Sequence, residues 1–364
     1  MKRFLPLFLV LLPFFAAAQS GEQTYIPDDN FEQALINLGY DDVLDDYVLT
    51  SNINTVTELN LNRIHDGKTS LFDLTGIEDF IALKSLDCGN NSVRFTLDIS
   101  QMSQLEELNV SNTFIGNLDT SNNPELRKLF TGHIFGTGGP VLNLSENPKL
   151  EQLSAGGPVD LSNNPALRTL SFTENSLSTL DVSNNPELQY LNITENPAIK
   201  ELDLSNNPKL ESLHASRMYD LRFINLKNGN NQTLITLNVN INGCVQVDDI
   251  AYAEAQTNWN IGDGSYSDNC EGLTYVPNDN FEQALIDRGF DDELDDFVLT
   301  ANINTATELN ISNLQIEGTF DLTGIEDFTA LKILDCSNIT DSFFALDTSN
   351  MSQLEELNVF DSFF

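Results

Sequence analysis

From Leu83 onward a Leu-x-x-Leu phrase recurs, with its first position at Leu83, Leu105, Leu126, Leu150, Leu167, Leu188, Leu210 and Leu234. The steps are 22, 21, 24, 17, 21, 22 and 24 residues, and the long step next to the short one restores the register. In LEELNV, LRTLSF and LQYLNI, apolar residues hold unit positions 1, 4 and 6. Positions 4 and 6 alternate with polar neighbours, which predicts a short strand with one buried face. Position 6 is filled by Cys88, Val110, Ala155, Phe172, Ile193, Ala215 and Val239. A second apolar pair follows in LDVSNNP (180–186) and LDLSNNP (202–208), after which Asn and Pro turn the chain. One such unit cannot bury its apolar face alone, so the pattern predicts stacked turns around a shared core: a solenoid with a parallel sheet. Asn175, Asn184, Asn196 and Asn206 recur at fixed offsets and are the expected rungs of an amide ladder on buried turn backbone.

A longer repeat overlies this one. Residues 25–50, YIPDDNFEQALINLGYDDVLDDYVLT, return at 275–300 as YVPNDNFEQALIDRGFDDELDDFVLT, displaced by 250. The correspondence continues through LTGIEDF (74–80 and 322–328) and MSQLEELNV (102–110 and 351–359). Asp29 and Glu32 after Pro27 read as a capping box, with Phe31, Leu35 and Ile36 on one face and Gly39 at the end. This predicts a helix over 29–38; Asp279, Glu282 and Gly289 repeat its signals. The expected organisation is a signal peptide (1–18), a helical cap (19–55), a solenoid (56–243) and a C-terminal cap or linker (244–272). A second helical cap (273–305) and a second, truncated repeat unit (306–364) follow. The second copy ends in the stretch matching Ile115 of the first, with Phe360, Phe363 and Phe364 apolar. A fragment of a longer protein is expected, the alternative being an end that frays or dimerises.

The LxxLxLxxN units resemble bacterial leucine-rich repeats. The LDVSNNPxLxxL phrasing is similar to secreted surface proteins of Bacteroidetes-type bacteria, and the helix followed by LTGIEDFxALxxLDC is similar to the cap of internalin-like proteins. GTGGP (136–140) departs from the pattern. The resemblance implies an α/β leucine-rich-repeat solenoid, right-handed, with a short parallel sheet on its concave face. For function it implies extracellular recognition or adhesion and no shared chemistry.

Charge narrows the partners. With 17 Lys and Arg against 55 Asp and Glu, the net charge of −38 repels phosphate backbones and anionic membranes, so no nucleic-acid partner is expected. Lys2 and Arg3, an apolar stretch over 4–15 and the small residues 16–18 form a secretory leader. No other apolar run approaches the ~20 residues of a membrane span. A secreted or cell-surface location is expected. Cys244 and Cys270 flank a segment that breaks the leucine pattern and are expected to form a disulfide in that compartment. Cys88 and Cys336 occupy equivalent strand positions and are expected to be buried thiols.

Catalytic constellations are missing from the sequence. His65, His133 and His214 are scattered, and there is no HExxH, GxSxG or P-loop, so no enzyme is expected. DDxLDD places Asp41, Asp42, Asp45 and Asp46, and again Asp291, Asp292, Asp295 and Asp296, within six residues. Such clusters are either solvated acidic caps or calcium sites; no other cofactor is indicated. Asp98, Asp119, Asp160, Asp181 and Asp203 recur once per turn and are expected on an exposed or ion-screened back. The concave face is expected to carry strand positions 3, 5 and 7, with Phe130, Thr169, Ser171, Tyr190, Asn192, His214 and Asn238 as candidate contacts. Its hydroxyls, amides and aromatics suit a protein or glycan ligand. The alternative is a structural spacer in a longer surface protein. Oligomeric state is not indicated by the sequence.

Overall fold

The computed structural model describes residues 21–63, 73–91, 96–116, 118–132, 142–241, 243–314, 320–339, 346, 348 and 351–360. The leader at 1–18, His65, His133, GTGGP, Phe363 and Phe364 lie outside the described residues. Each leucine phrase becomes one short strand. Glu58–Asn60, Ser85–Asp87, Glu107–Asn109, Lys128–Phe130, Gln152–Ser154, Thr169–Ser171, Tyr190–Asn192, Ser212–Ala215, Thr236–Ile241 and Trp259–Gly262 form one ten-stranded sheet. Every neighbouring pair in it is parallel. The central leucines, from Leu59 to Leu237, are at most 2% exposed, while the flanking residues stay partly open. Burying each such leucine is worth about 2 kcal/mol, which is what holds turn upon turn. The apolar side chains join into a single core running from Ile26 to Ile261.

The return segments pair only in the later turns. Glu201–Asp203, Phe223–Asn225, Cys244–Gln246 and Ser265–Ser267 form a second parallel sheet of four strands. Their registered residues Glu201, Phe223, Cys244 and Ser265 are 22, 21 and 21 apart, so successive turns match in length and both faces can register. Earlier, LDV at 180–182 lies outside any strand, although it stands the same 22 residues before LDL at 202–204.

The ladder also runs past residue 243, where a cap was expected to begin. Trp259–Gly262 pairs with Thr236–Ile241 in place of a leucine strand, reached through the short helix Ile250–Glu254. The Trp259 indole N–H donates to the Leu234 carbonyl at 3.1 Å, so the bulkier side chain seats without an orphaned donor. Cys244 and Cys270 form the disulfide, with Cα atoms 6.1 Å apart. With Tyr275 and Phe297 they make a small buried cluster against Phe223 and Leu273. A second core follows from Val276 to Met351, around the three parallel strands Glu308–Asn310, Ile333–Asp335 and Glu356–Asn358.

Cys88 and Cys336 are buried thiols outside the disulfide. Burial pushes Cys336 up to about 12 and Cys88 beyond the ordinary thiol range, so neither offers a thiolate at neutral pH. Thiol titration of the native chain is therefore expected to label neither, and to count both once denaturant is added.

The amide ladder is built, but not from every predicted rung. Asn196 is buried and donates to the Phe172 and Ile193 carbonyls at 2.6 and 2.8 Å. Asn175 is half-buried and donates to Ala155 and Thr173. Asn184 and Asn206, however, are exposed, and their neighbours Asn185 and Asn207 point inward. Asn185 donates to the Leu161 and Asn164 carbonyls at 3.2 and 2.9 Å, and Asn207 to Val182 and Asn185 at 3.0 and 2.9 Å. Asn123, Asn147 and Asn164 continue the same column. The second Asn of NNP is chosen because its amide faces the preceding turn, whose carbonyls have no strand partner.

A helix spans Asp29–Leu38, closed by Gly39 at φ 82°. Its N-cap is Asp28 and not Asp29: the Asp28 carboxylate accepts from the Asn30 and Phe31 N–H groups, each at 3.0 Å. Glu32 does not reach back to complete a capping box. It turns inward and accepts from the Asp45 and Tyr47 N–H groups at 2.9 and 3.1 Å, tying the acidic loop to the helix. Glu282 accepts from Asp295 in the same way at 2.9 Å, below the N-cap Asn278.

Candidate functional site

On the ten-stranded sheet, register sets the candidate residues in two straight rows. One runs Lys128, Gln152, Thr169, Tyr190, Ser212, Thr236; the other runs Phe130, Ser154, Ser171, Asn192, His214, Asn238. All of these side chains are partly exposed beside their buried leucines. The first strands carry charge, with Glu107 held by Lys128 at 2.6 Å. From Gln152 to Asn238, five adjacent strands present no formally charged side chain in either row. At ~4.8 Å per strand, that uncharged platform is about 20 Å wide.

Aromatic and hydroxyl groups meet in the middle of this platform. The rings of Tyr190 and His214, from adjacent strands, lie 5.5 Å apart. The Ser212 hydroxyl is 3.0 Å from His214 Nε2. Phe130 stands three strands from Tyr190, at the platform's charged border. A Tyr–His pair across strands was legible only once positions 3 and 5 of neighbouring units were laid side by side. The chemistry available here is hydrogen bonding and aromatic stacking on a rigid floor, with Ser212 and His214 as its hydroxyl–imidazole contact.

The back aspartates are exposed, as their spacing indicated. Each accepts from the N–H two residues on, at Ser100, Ser121, Ser162, Ser183 and Ser205. Those N–H groups, then the serine hydroxyls, hold Asp98 and Asp119 below the ordinary carboxylate range. For Asp160 and Asp181 the hydroxyl contributes more than the backbone. They are turn-closing groups that tolerate stacking because they face water.

The DDxLDD clusters do not converge as sets of four. Asp42 and Asp45 are exposed, and Asp45 accepts from its own loop at Tyr47. Among the described residues, the carboxylate oxygens that come within 4.8 Å of one another belong to Asp29, Glu32 and Asp46, and to Asp279, Glu282 and Asp296. Asp41 and Asp291 each bury one oxygen that has no hydrogen-bond partner, and burial raises both carboxyls. Burial likewise pushes Glu282 up to about 7, against the lowering by the Asp295 N–H it accepts. Asp29 and Glu32 were readable only as helix-start signals, because nothing local in the sequence tells that Asp46 returns to them.

No protein-family model matches the chain, and no curated protein does. Among solved structures, the functional domain of InlJ from Listeria monocytogenes is 19% identical, with a TM-score of 0.40 over 92% of this chain and 75% of that one. An internalin, InlF, from the same organism is 16% identical, with a TM-score of 0.46 over 93% of this chain and 91% of that one. Internalin C2 of Listeria monocytogenes is also 16% identical, at a TM-score of 0.41 over 67% and 95%. Likenesses at these values carry nothing about a ligand. No helix among the described residues is long and apolar enough to cross a membrane.

Proposed function

We propose that this chain is a binding module, without catalysis, that engages a protein or glycan ligand on the uncharged platform of its ten-stranded sheet. The observation that carries the reading is the charge-free run of five strands on a molecule of net charge −38. Charged residues are excluded there while hydroxyls, amides and the Tyr190–His214 pair are presented, the composition of a recognition surface with an aromatic anchor. Export to an extracellular or cell-surface location belongs to the same reading, supported by the leader-like composition of 1–18 and by the Cys244–Cys270 disulfide.

The test is a glycan array together with capture of extracellular proteins by the full chain, followed by affinity measurement on any ligand found. Tyr190→Ala is expected to weaken binding at least tenfold, or about 1.4 kcal/mol, with Phe130→Ala and His214→Ala smaller. Binding that ignores all three substitutions would move the contact off the platform. A chain inert towards every ligand would favour the spacer, for which the recurrence of one block at a displacement of 250 is the supporting observation.

A further inference from the structure

We propose that each unit holds one hard divalent cation, calcium, beside its first helix: between Asp29, Glu32 and Asp46 in the first unit, and Asp279, Glu282 and Asp296 in the second. The ligands come from the first turn of the helix and from a residue 14 positions beyond it, and the two sets are related by the displacement of 250. Folding thus brings three carboxylates together twice, within 4.8 Å in each case. Among the described residues no Lys or Arg forms an ion pair with any of the six.

Glu32 is what lifts this set above a surface acidic cluster. Its side chain is 0% exposed. One of its oxygens takes the two loop N–H groups, and the other, Oε2, is buried with no hydrogen-bond partner. A buried ionised oxygen is costly without compensation, and beside two further carboxylates the compensation that fits is a cation. Asp29 and Asp46 are exposed, so an ion has an entry path and room for water ligands on the solvent side. The second site varies: among the described residues Glu282 takes only the Asp295 N–H, Asp296 is half-buried, and the Ser265 hydroxyl donates to Asp296 Oδ2 at 2.8 Å, which predicts unequal affinities with the first site the tighter.

The donor set selects the ion. Neither His nor Cys belongs to either group, which disfavours zinc. Calcium binds oxygens at about 2.3–2.6 Å, so two oxygens sharing one ion sit up to ~5 Å apart, the spread found here. Magnesium at about 2.0–2.1 Å would need the carboxylates drawn closer and would keep more of its own water.

Calorimetric titration of the full chain with calcium chloride, paired with melting curves in calcium and in chelator, tests the assignment. Two ions per chain are expected, with a melting temperature that climbs with calcium concentration and responds less to magnesium. Asp29→Asn combined with Asp46→Asn should reduce the stoichiometry from two to one. Asp42→Asn combined with Asp45→Asn should leave it at two. Glu32→Gln keeps the acceptor for the loop N–H groups and removes charge, so in chelator it should melt no lower than the parent chain while losing one ion. Coincident melting curves with no binding heat would overturn the proposal. So would loss of an ion in the Asp42/Asp45 variant with both ions retained in the Asp29/Asp46 variant.

Discussion

Replacing Asn185 by alanine is expected to lower the unfolding free energy by roughly 1–3 kcal/mol, while Asn184→Ala stays within about 0.5 kcal/mol. The two residues are adjacent and chemically identical, so propensity and composition cannot separate them. Asn185 is fully buried, and its amide donates to the carbonyls of Leu161 and Asn164 in the preceding turn. Alanine would remove the second donor from each carbonyl, leaving Leu161 and Asn164 only the turn N–H groups of Asn164 and Leu167, and would open a cavity at a buried position. Asn184 is exposed and reaches only the Ser183 hydroxyl, at 3.4 Å. Urea unfolding of the two variants side by side measures the difference; equal losses would mean that the inward amide does not support the stack.

Serine at both Cys244 and Cys270 is expected to destabilise the chain by on the order of 3 kcal/mol, the chain-entropy cost of reopening a loop with a sequence separation of 26. The loss falls where the leucine pattern has ended. Cys244 opens a strand of the return sheet, and Cys270 lies among Tyr275, Phe297 and Leu273 at the start of the second unit. Thermal unfolding of the double variant, with Cys88→Ser as control, separates the disulfide from general thiol effects. Cys88 is walled in by the core, and its change is expected to act through packing and to be insensitive to reductant. A double variant that melts with the parent chain would show the bridge to be incidental to stability.

Much of the fold is written in short-range pattern. Position 4 of each unit is a leucine that no water reaches, and positions 3 and 5 are polar and open, so the alternation alone placed Thr169, Ser171, Tyr190, Asn192, His214 and Asn238 on one face. The disulfide was legible for a different reason: two cysteines lie outside the repeat, while Cys88 and Cys336 occupy equivalent strand positions in the two copies. Side-chain period and cysteine arithmetic are local properties, and the chain carries them before it folds.

What the sequence could not decide depends on where turns land relative to one another. Which Asn of NNP faces inward is set by the phase of a turn against the carbonyls of the turn below. Return segments pair at Glu201, Phe223, Cys244 and Ser265 but not at LDV 180–182, which stands an equal 22 residues from its successor, so spacing alone does not decide it. Glu32 looks like half of a capping box because Asp29 is near in sequence, yet the Asp45 and Tyr47 N–H groups, 13 and 15 residues away, hold its carboxylate. The DDxLDD cluster looked like one site because its acids are consecutive, but consecutive side chains in a loop diverge. Convergence required the helix and the loop to close on each other, bringing Asp46 to Asp29 and Glu32. The repeat pattern therefore determined which residues are buried and which face is presented, because burial follows periodicity. Only the tertiary structure decided which polar groups meet, because meeting is a matter of distance between segments that sequence order leaves open.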